Sequence, residues 1–357
     1  MLRFLTLHPT AFGLDISDFS LKIISLKKQG KGFAVASFGR FPIKKGIIEK
    51  GEIKQEKELT SLIKKALQNV KGDKLVSRHV VVSLPEEKAF LQVMQLPKMK
   101  MEEAAQAVNF EAENYIPLPI DKVYIVFAII PPVHNHLNHL DILLASLPRV
   151  IIDSYVSVVK AADLVPVILE NESIATSRAV IKNGLTPTPV LIADIGATRT
   201  RLGIYSGYSL RFATSIPISS ELFTAVLSKV LKVETAQAEK LWRKKESKVF
   251  EALVPVMTDL SEQVEKYINY YESHAGHQHL NGKKLSLSKV LLCGGGANLV
   301  GLPEFLSKAL HVETVLADPW VNILPAHLSE LPPLSFQDSL AYATALGLAL
   351  RGVNQHD

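Results

Sequence analysis

The sequence predicts a two-lobed α/β fold with an extra subdomain inserted into the first lobe. Three observations predict it. An acidic β-hairpin occurs twice, at residues 13–26 and 192–205. A strand running into a glycine turn follows the second copy, at 290–297. Residues 79–148 form a block that the second half does not repeat.

In each hairpin an apolar strand ends in an aspartate, Asp15 or Asp194, before a small polar turn and an alternating return strand. A third strand closes each unit, at 37–43 and 213–218, so each half opens with a three-stranded antiparallel meander. Residues 56–70 place Leu59, Ile63, Ala66, Leu67 and Val70 on one helical face. Residues 80–84 read as a strand. Residues 101–114 read as a helix that stops before Pro117, because the residue ahead of a proline disfavours the α region. Strands at 122–130 and 140–146 follow, so the 79–148 block reads strand, helix, strand, strand. Helices at 148–161 and 171–182 flank a short strand at 165–169. One glycine and two prolines mark 184–189 as a hinge. The second half then reads as helices at 220–231, 235–245 and 248–272, a strand at 289–293 and a closing helix at 339–351.

This gives a domain expectation. Residues 1–78 with 149–186 form the first-lobe core, and 79–148 the inserted subdomain. Residues 187–225 with 286–335 form the second-lobe core, and 226–285 a helical subdomain. Residues 336–357 pack back on the first lobe.

Composition narrows the function. Apolar residues make up 47% of the 357, enough for a large core. The net charge of +5 falls short of the dense basic stripe of a nucleic-acid binder, and no nucleic-acid motif is present. Cys293 is the lone cysteine, which excludes an internal disulfide and suits a reducing cytoplasm. The start lacks a signal-peptide pattern, and the longest apolar run, 123–133, contains two prolines. A soluble protein that reaches a membrane only through a partner is expected. Residues 1–11 are mildly amphipathic, but Pro9 shortens any helix there. His134, His136 and His139, and His274, His277 and His279, read as polar loops without acidic or thiol co-ligands for zinc. Lys240, Arg243, Lys244, Lys245 and Lys248 read as a solvated face.

The hairpins carry the candidate chemistry. A carboxylate ending an apolar strand is costly to bury unpaired. The first turn offers backbone N–H groups with the hydroxyls of Ser17 and Ser20, and Lys22 shares a strand face with Ser20. The second offers Gly196, Ala197, Thr198 and Thr200 behind Asp194, and Gly196 permits close backbone approach to a phosphate. Two acids flanking a metal-bound polyphosphate suit phosphoryl chemistry, so Asp15 and Asp194 are the expected Mg²⁺ ligands. The bare backbone of Gly294, Gly295, Gly296 and Ala297 could lie against a nucleoside, although tight packing explains such a run equally well.

These three elements in this order resemble the actin/Hsp70/sugar-kinase ATPase superfamily. The resemblance implies a two-lobed actin-like, RNase H-like fold that binds ATP with Mg²⁺ between its lobes. Within it the chain is similar to the PilM family of type IV pilus assembly, and more distantly to the FtsA division family. Residues 110–119, Phe-Glu-Ala-Glu-Asn-Tyr-Ile-Pro-Leu-Pro, carry the most specific match, inside an insertion of the SHS2 type. Glu172-Ser-Ile-Ala, Asp194-Ile-Gly-Ala-Thr and Asp318-Pro-Trp fit the same pattern.

The resemblance implies a cytoplasmic adaptor, peripheral at the inner membrane, that binds the short cytoplasmic tail of a PilN-like bitopic protein. The 79–148 block, with its Pro117 and Pro119 corner, is the expected groove wall. Pilus motor ATPases and a second copy of the chain stay open as further partners. Glu239 and Trp242 fall in the run that approaches the nucleotide, where Trp242 replaces a lysine. Ser17 and Asp18 replace the usual glycine and hydroxyl residue of the first turn, and Ser219-Ser220 a usual Gly-Gly. Arg201 stands where actin has a histidine that helps organise the attacking water, and Glu172 is the candidate to orient that water. Nucleotide binding with slow or absent turnover is therefore expected. Three alternatives stay open: a pure scaffold whose site is degenerate, a small-molecule kinase, for which no Asp or His makes a convincing base, and an FtsA-like adaptor. An FtsA-like adaptor would end in a linker and a basic amphipathic helix, which the last residues here do not resemble.

Overall fold

The structure, a computed structural model, describes residues 10–133, 138–244, 246–274, 286–324 and 331–354. The chain enters on a meander of β1 (Phe12–Ile16), β2 (Ser20–Gln29) and β3 (Gly32–Pro42). A tight hairpin of β4 (Ile48–Glu49) and β5 (Glu52–Ile53) leads to α1 (Glu56–Gln68) and the short β6 (Lys71–Gly72). Then come β7 (His79–Leu84), β8 (Phe90–Pro97), α2 (Met101–Tyr115), β9 (Val123–Ile130) and β10 (His139–Pro148). Helix α3 (Arg149–Ala161), β11 (Val165–Asn171) and α4 (Glu172–Val180) return to the first lobe.

The second lobe opens on β12 (Thr186–Ile195), β13 (Thr200–Gly207) and β14 (Ser209–Ile216). Helices α5 (Ser220–Leu231), α6 (Thr235–Leu241) and α7 (Ser247–His274) follow, then β15 (Lys289–Cys293), α8 (Leu302–Leu310) and β16 (Thr314–Leu316). Helices α9 (Phe336–Leu340) and α10 (Ala343–Val353) close the described chain.

Two sheets carry the lobes. The first has the order β11-β7-β1-β2-β3-β6 and the second β16-β15-β12-β13-β14-β8-β10-β9. The repeat is visible in both. Each aspartate-ending strand, β1 or β12, has its antiparallel hairpin partner on one side and a parallel strand, β7 or β15, on the other. A strand in the middle of a covered sheet must be apolar on both faces. All five residues of β1 and eight of the ten in β12 bear this out by their burial, the exceptions being the exposed Pro187 and half-buried Thr188 at the start of β12.

 Outright burial in β12 covers Thr186 and the whole of 189–195.

Helix α10 locks the first lobe from behind. Gly347 lies directly on the Ala175 carbonyl of α4, and Gly13 of β1 lies against the α10 backbone, so both contacts leave no room for a Cβ. No helix among the described residues is long and apolar enough to cross a membrane.

Several elements differ from the sequence reading. The 80–84 strand belongs to the first-lobe sheet, between β1 and β11. The first strand of the 79–148 block is instead β8, which the sequence reading missed. Its buried residues, Leu91, Met94 and Leu96, fall at spacings of three and two, so the period-2 signal is broken. The expected hinge at 184–189 is a turn that already becomes strand at Thr186. Its prolines fall where β12 shifts register against β13, a position that needs no ladder N–H. The closing helix is split in two at Ala341 and Tyr342. Residues 1–9, His134, His136, Lys245, His277 and His279 lie outside the described residues. Among the described residues no cluster of three or more His, Cys, Asp or Glu could hold a metal ion.

Candidate functional site

The two hairpins carry the same acid–cation register. Asp15 sits opposite Lys22 in the β1–β2 ladder, and Asp194 opposite Arg201 in the β12–β13 ladder. In each copy the cation is seven residues after the acid, a spacing legible in the sequence. Lys22 Nζ donates to Asp15 Oδ2 at 2.7 Å, and Ser83 Oγ donates to Asp15 Oδ1 at 3.2 Å. Lys22, expected to reach for phosphate, is therefore paired with the buried Asp15.

The rest of the first turn is tied to its surroundings. Ser17 Oγ donates to the Ser20 carbonyl at 3.0 Å, and the two hydroxyls also lie 3.0 Å apart. Asp18 faces the β4–β5 hairpin, where its carboxylate accepts the Gly51 N–H at 3.0 Å. That hairpin turns on Lys50 and Gly51, both at positive φ, as a two-residue turn requires.

Arg201 joins the lobes. Its guanidinium donates to Asp194 Oδ2 at 2.6 Å and to Glu172 Oε1 of α4, also at 2.6 Å. The second Glu172 oxygen accepts the backbone N–H of Glu86 at 3.0 Å, while Glu86 Oε2 accepts the Ser173 N–H at 3.2 Å. Asn171 caps α4 by accepting from Ser173 N at 2.9 Å. Glu86 is buried at this floor and was missed by sequence reasoning; the only signal was a Glu-Glu pair after Pro85.

Burial pushes the Glu172 carboxyl up to about 7, with Arg201 pulling it down and Asp15 pushing it further up. Burial also raises Glu86. Burial opposes the Arg201 charge as well, but Asp194, Glu172 and Asp15 outweigh it and keep the guanidinium protonated. A carboxyl raised in the folded state stabilises the fold fully below its unfolded value near 4.5, and that contribution is lost as pH rises through about 7. Glu172→Gln should therefore match the parent in stability at pH 4.5 and gain on it steadily up to pH 7.5. Urea unfolding across that range checks this, and a constant difference would show that Glu172 does not titrate there.

The second turn is built from its own backbone. Gly196 N donates to Arg199 O at 2.9 Å, and the Gly196 and Ala197 carbonyls accept Ser220 N and Glu221 N at 3.0 and 3.2 Å. This seats the start of α5 on the turn containing Thr198, and Ser219 caps that helix through Leu222 N at 3.3 Å. The Thr200 hydroxyl, expected as a phosphate donor, is fully buried and donates to Ile218 O at 2.7 Å.

The three glycines after β15 have different jobs. A Cβ on Gly294 would overlap Asp194 and Ile195, and one on Gly296 would overlap the Ile195 side chain. Those two glycines pack the turn against the end of β12. Around Gly295 the nearest atom, Ala341 Cβ, is 4.0 Å away, so Gly295 is the position open to a ligand. Ala297 is buried beneath the turn.

Beside the second turn, at Ala197 and Ser219, lies a cleft of about 850 Å³ between the lobes, which the acid–cation pairs and the three glycines do not line. Phe19 and Arg40 line it from the first lobe, and Ala197, Ser219, Glu239 and Trp242 from the second. Trp242 is otherwise packed into the second-lobe core, its indole N–H has no hydrogen-bond partner among the described residues, and Arg243 lies 4.8 Å over its ring.

A second groove, also about 850 Å³, separates the 79–148 block from the first lobe. Leu118, between the two corner prolines, lines it together with Asp121, Ile53, Arg149, Val150 and Asp153. Leu118 and Val150 are exposed apolar residues.

The comparisons with known proteins agree with this geometry. The profile of the family described as "Type IV pilus assembly protein PilM" matches residues 13–353. The chain belongs to the PilM family. A solved "PilM-PilN type IV pilus biogenesis complex" superposes with a TM-score of 0.77 at 26% identity, covering 97% of this chain and 99% of that chain. The ethanolamine utilization protein EutJ from Carboxydothermus hydrogenoformans gives 0.56 at 15% identity, over 96% and 89% of the two chains. MreB5 of Spiroplasma citri, solved with ADP, gives 0.53 at 12% identity, over 95% and 94%. The last two carry the fold alone, and all three place this PilM-family chain in the actin-like ATPase fold.

Proposed function

We propose that the chain binds ATP in the interlobe cleft and, in the groove beside the inserted subdomain, the cytoplasmic tail of a PilN-like membrane protein. It would thereby act as the cytoplasmic adaptor of a pilus assembly complex, held at the inner membrane through that partner. The observation that carries the nucleotide half is the mirrored acid–cation register of the two hairpins, whose second turn adjoins, at Ala197, a cleft lined from both lobes. The likeness to a PilM chain solved with PilN supports the tail half, along with a groove whose exposed apolar wall suits an extended peptide.

The floor fits Mg²⁺ through water better than by direct ligation. Asp15 and Asp194 each already hold an internal cation, and Mg²⁺ gives up its waters reluctantly. When bound, Mg²⁺ would neutralise phosphate charge, with Asp15 and Asp194 holding its water shell. Gly295 leaves room for the nucleoside, and Glu239 and Trp242 line the cleft.

Turnover should be slow for a reason in the geometry. Both oxygens of Glu172 are engaged, one by Arg201 and one by Glu86 N–H, so Glu172 is not free to orient a water. Titration calorimetry with ATP–Mg²⁺, and separately with a synthetic tail peptide, tests the proposal. Absence of ATP binding sinks the nucleotide reading, and absence of peptide binding with and without ATP sinks the adaptor reading. Multi-turnover hydrolysis faster than about 1 s⁻¹, the range of kinases, would overturn slow turnover.

A further inference from the structure

The first lobe is strongly basic at the end opposite the Asp18 turn. Strands β1 and β7 run parallel and both start at that end, and the β2–β3 hairpin turns there. Helix α1 arrives at the same end, because β6 follows it and runs antiparallel to β3 toward the hairpin tip. Ion pairs fasten these segments together. Lys27 of the hairpin meets Asp73 after β6, and Lys64 of α1 meets Asp163 after α3, each at 2.8 Å. Residues 27–33, 64–78 and 160–165 thus share one surface. They hold nine basic side chains and two acidic ones, a larger excess than the +5 of the whole chain.

Both acids are used up in those two pairs. Lys28, Lys31, Lys65, Lys71 and Lys74 are exposed and have no acidic partner among the described residues. A helix C-terminus accounts for Lys65, but the other four lie outside helices. Between Lys74 and Arg78 the chain also shows an apolar side chain to solvent. Leu75 packs partly against the first-lobe core, while Val76 beside it is 91% exposed. Eight of the nine basic residues are lysines. Arginine forks suit the defined carboxylates and phosphates of a protein or nucleic acid, whereas diffuse headgroup charge needs only point charges.

We propose that this end of the first lobe rests directly on an anionic lipid bilayer, its lysines among the headgroups and Val76 in the interface. Each lysine held within a Debye length of anionic lipid adds a similar increment of attraction. An apolar residue among them adds contact that salt does not screen. The place also fits the proposed tail site, although lipid binding does not depend on it. The groove beside the inserted subdomain continues into a furrow of about 440 Å³ between α1 and α3, and the two share Glu56 and Ser157. The furrow runs on to Lys64, Lys65 and Gln68 at the basic end. A membrane protein's tail leaving along it would emerge beside the headgroups, so protein and lipid would hold the chain by adjoining surfaces.

Flotation of the full chain with vesicles, in the absence of nucleotide and peptide, tests this. Vesicles of equal phosphatidylcholine and phosphatidylglycerol should bind the parent at least about tenfold more tightly than phosphatidylcholine alone, and high salt should remove most of the difference. Lys28→Gln/Lys31→Gln/Lys74→Gln should weaken binding by about a hundredfold, at about fivefold per lysine. Lys240→Gln/Lys244→Gln/Lys248→Gln removes the same charge from the second lobe and should change binding by less than about threefold. Val76→Ser, at unchanged charge, should weaken it by about fivefold through lost apolar contact. The inference is overturned if the parent binds both vesicle types alike, if the two triple variants lose equal affinity, or if Val76→Ser binds as the parent does. Tighter binding of polyglutamate or single-stranded DNA than of the anionic vesicles would assign the face to an acidic protein or a nucleic acid and overturn it too. None of these outcomes touches the nucleotide and tail readings, since neither ligand is present.

Discussion

Arg201→Leu is expected to destabilise the chain by about 3–5 kcal/mol, the usual cost of removing one partner from a buried ionic cluster. The guanidinium is the cation that Glu172 and Asp194 share, and all three side chains are nearly closed to solvent. Without it two carboxylates face each other across the lobe boundary, and Asp15 lies close enough to raise Glu172 further. The loss should be greatest above pH 7, where Glu172 would have to ionise, and smaller near pH 4.5, where it is protonated. Arg201→Lys should fall between, since an ammonium lacks the fork that spans both acids. Urea unfolding at pH 5 and pH 8 reads all of this. A loss under about 1 kcal/mol at both pH values, typical of a solvated surface pair, would show that the cluster is hydrated and does not clasp the lobes.

Gly347→Ala is the second large effect, at about 3 kcal/mol, the upper end of ordinary overpacking. The new Cβ would overlap the Ala175 carbonyl, a backbone atom inside α4, so no rotamer change relieves the contact. Helix α10 or α4 must move as a whole. Because α4 begins at Glu172, the displacement should also disturb the clasp on Arg201 and weaken ATP binding. Gly295→Ala is the matched comparison. It adds the same methyl where the nearest atom is 4.0 Å away, so stability should stay within about 0.5 kcal/mol. Melting temperatures of the two variants decide the point, and equal losses would show that the helix crossing yields more easily than the backbone contact implies.

Much of this protein was legible in its sequence because local rules governed it. The repeated hairpin could be found because a carboxylate ending an apolar strand is unusual, and two copies in matching context are more unusual still. Helices such as α1 and α5 announced themselves by their spacing. The 110–119 run pointed to the family before any geometry was known, and the family profile over 13–353 bears that out.

What the sequence could not fix were contacts between residues far apart in the chain. Lys22 looked like a group for a phosphate, and Arg201 stood where the resemblance placed a group that organises the attacking water. The folded chain turns each onto the acid directly across its own hairpin, because strand register decides which side chains are opposed and a buried carboxylate needs the nearest cation. Thr200 looked like a donor to ligand and instead bonds Ile218, because its strand position points it into the core. Glu86 carried no signal, since its importance comes from burial against Glu172, 86 residues away. The attachment of the inserted subdomain to the second lobe was equally hidden. Chain connectivity assigns residues 79–148 to the first lobe, whereas the pairing of β8 with β14 and of Asp141 with Arg211 joins them to the second. The sequence by itself therefore determined the repeat, the fold and the family. Only the tertiary structure decided which charges neutralise one another and which lobe holds the insertion, because both depend on the distances that folding creates between residues remote in sequence.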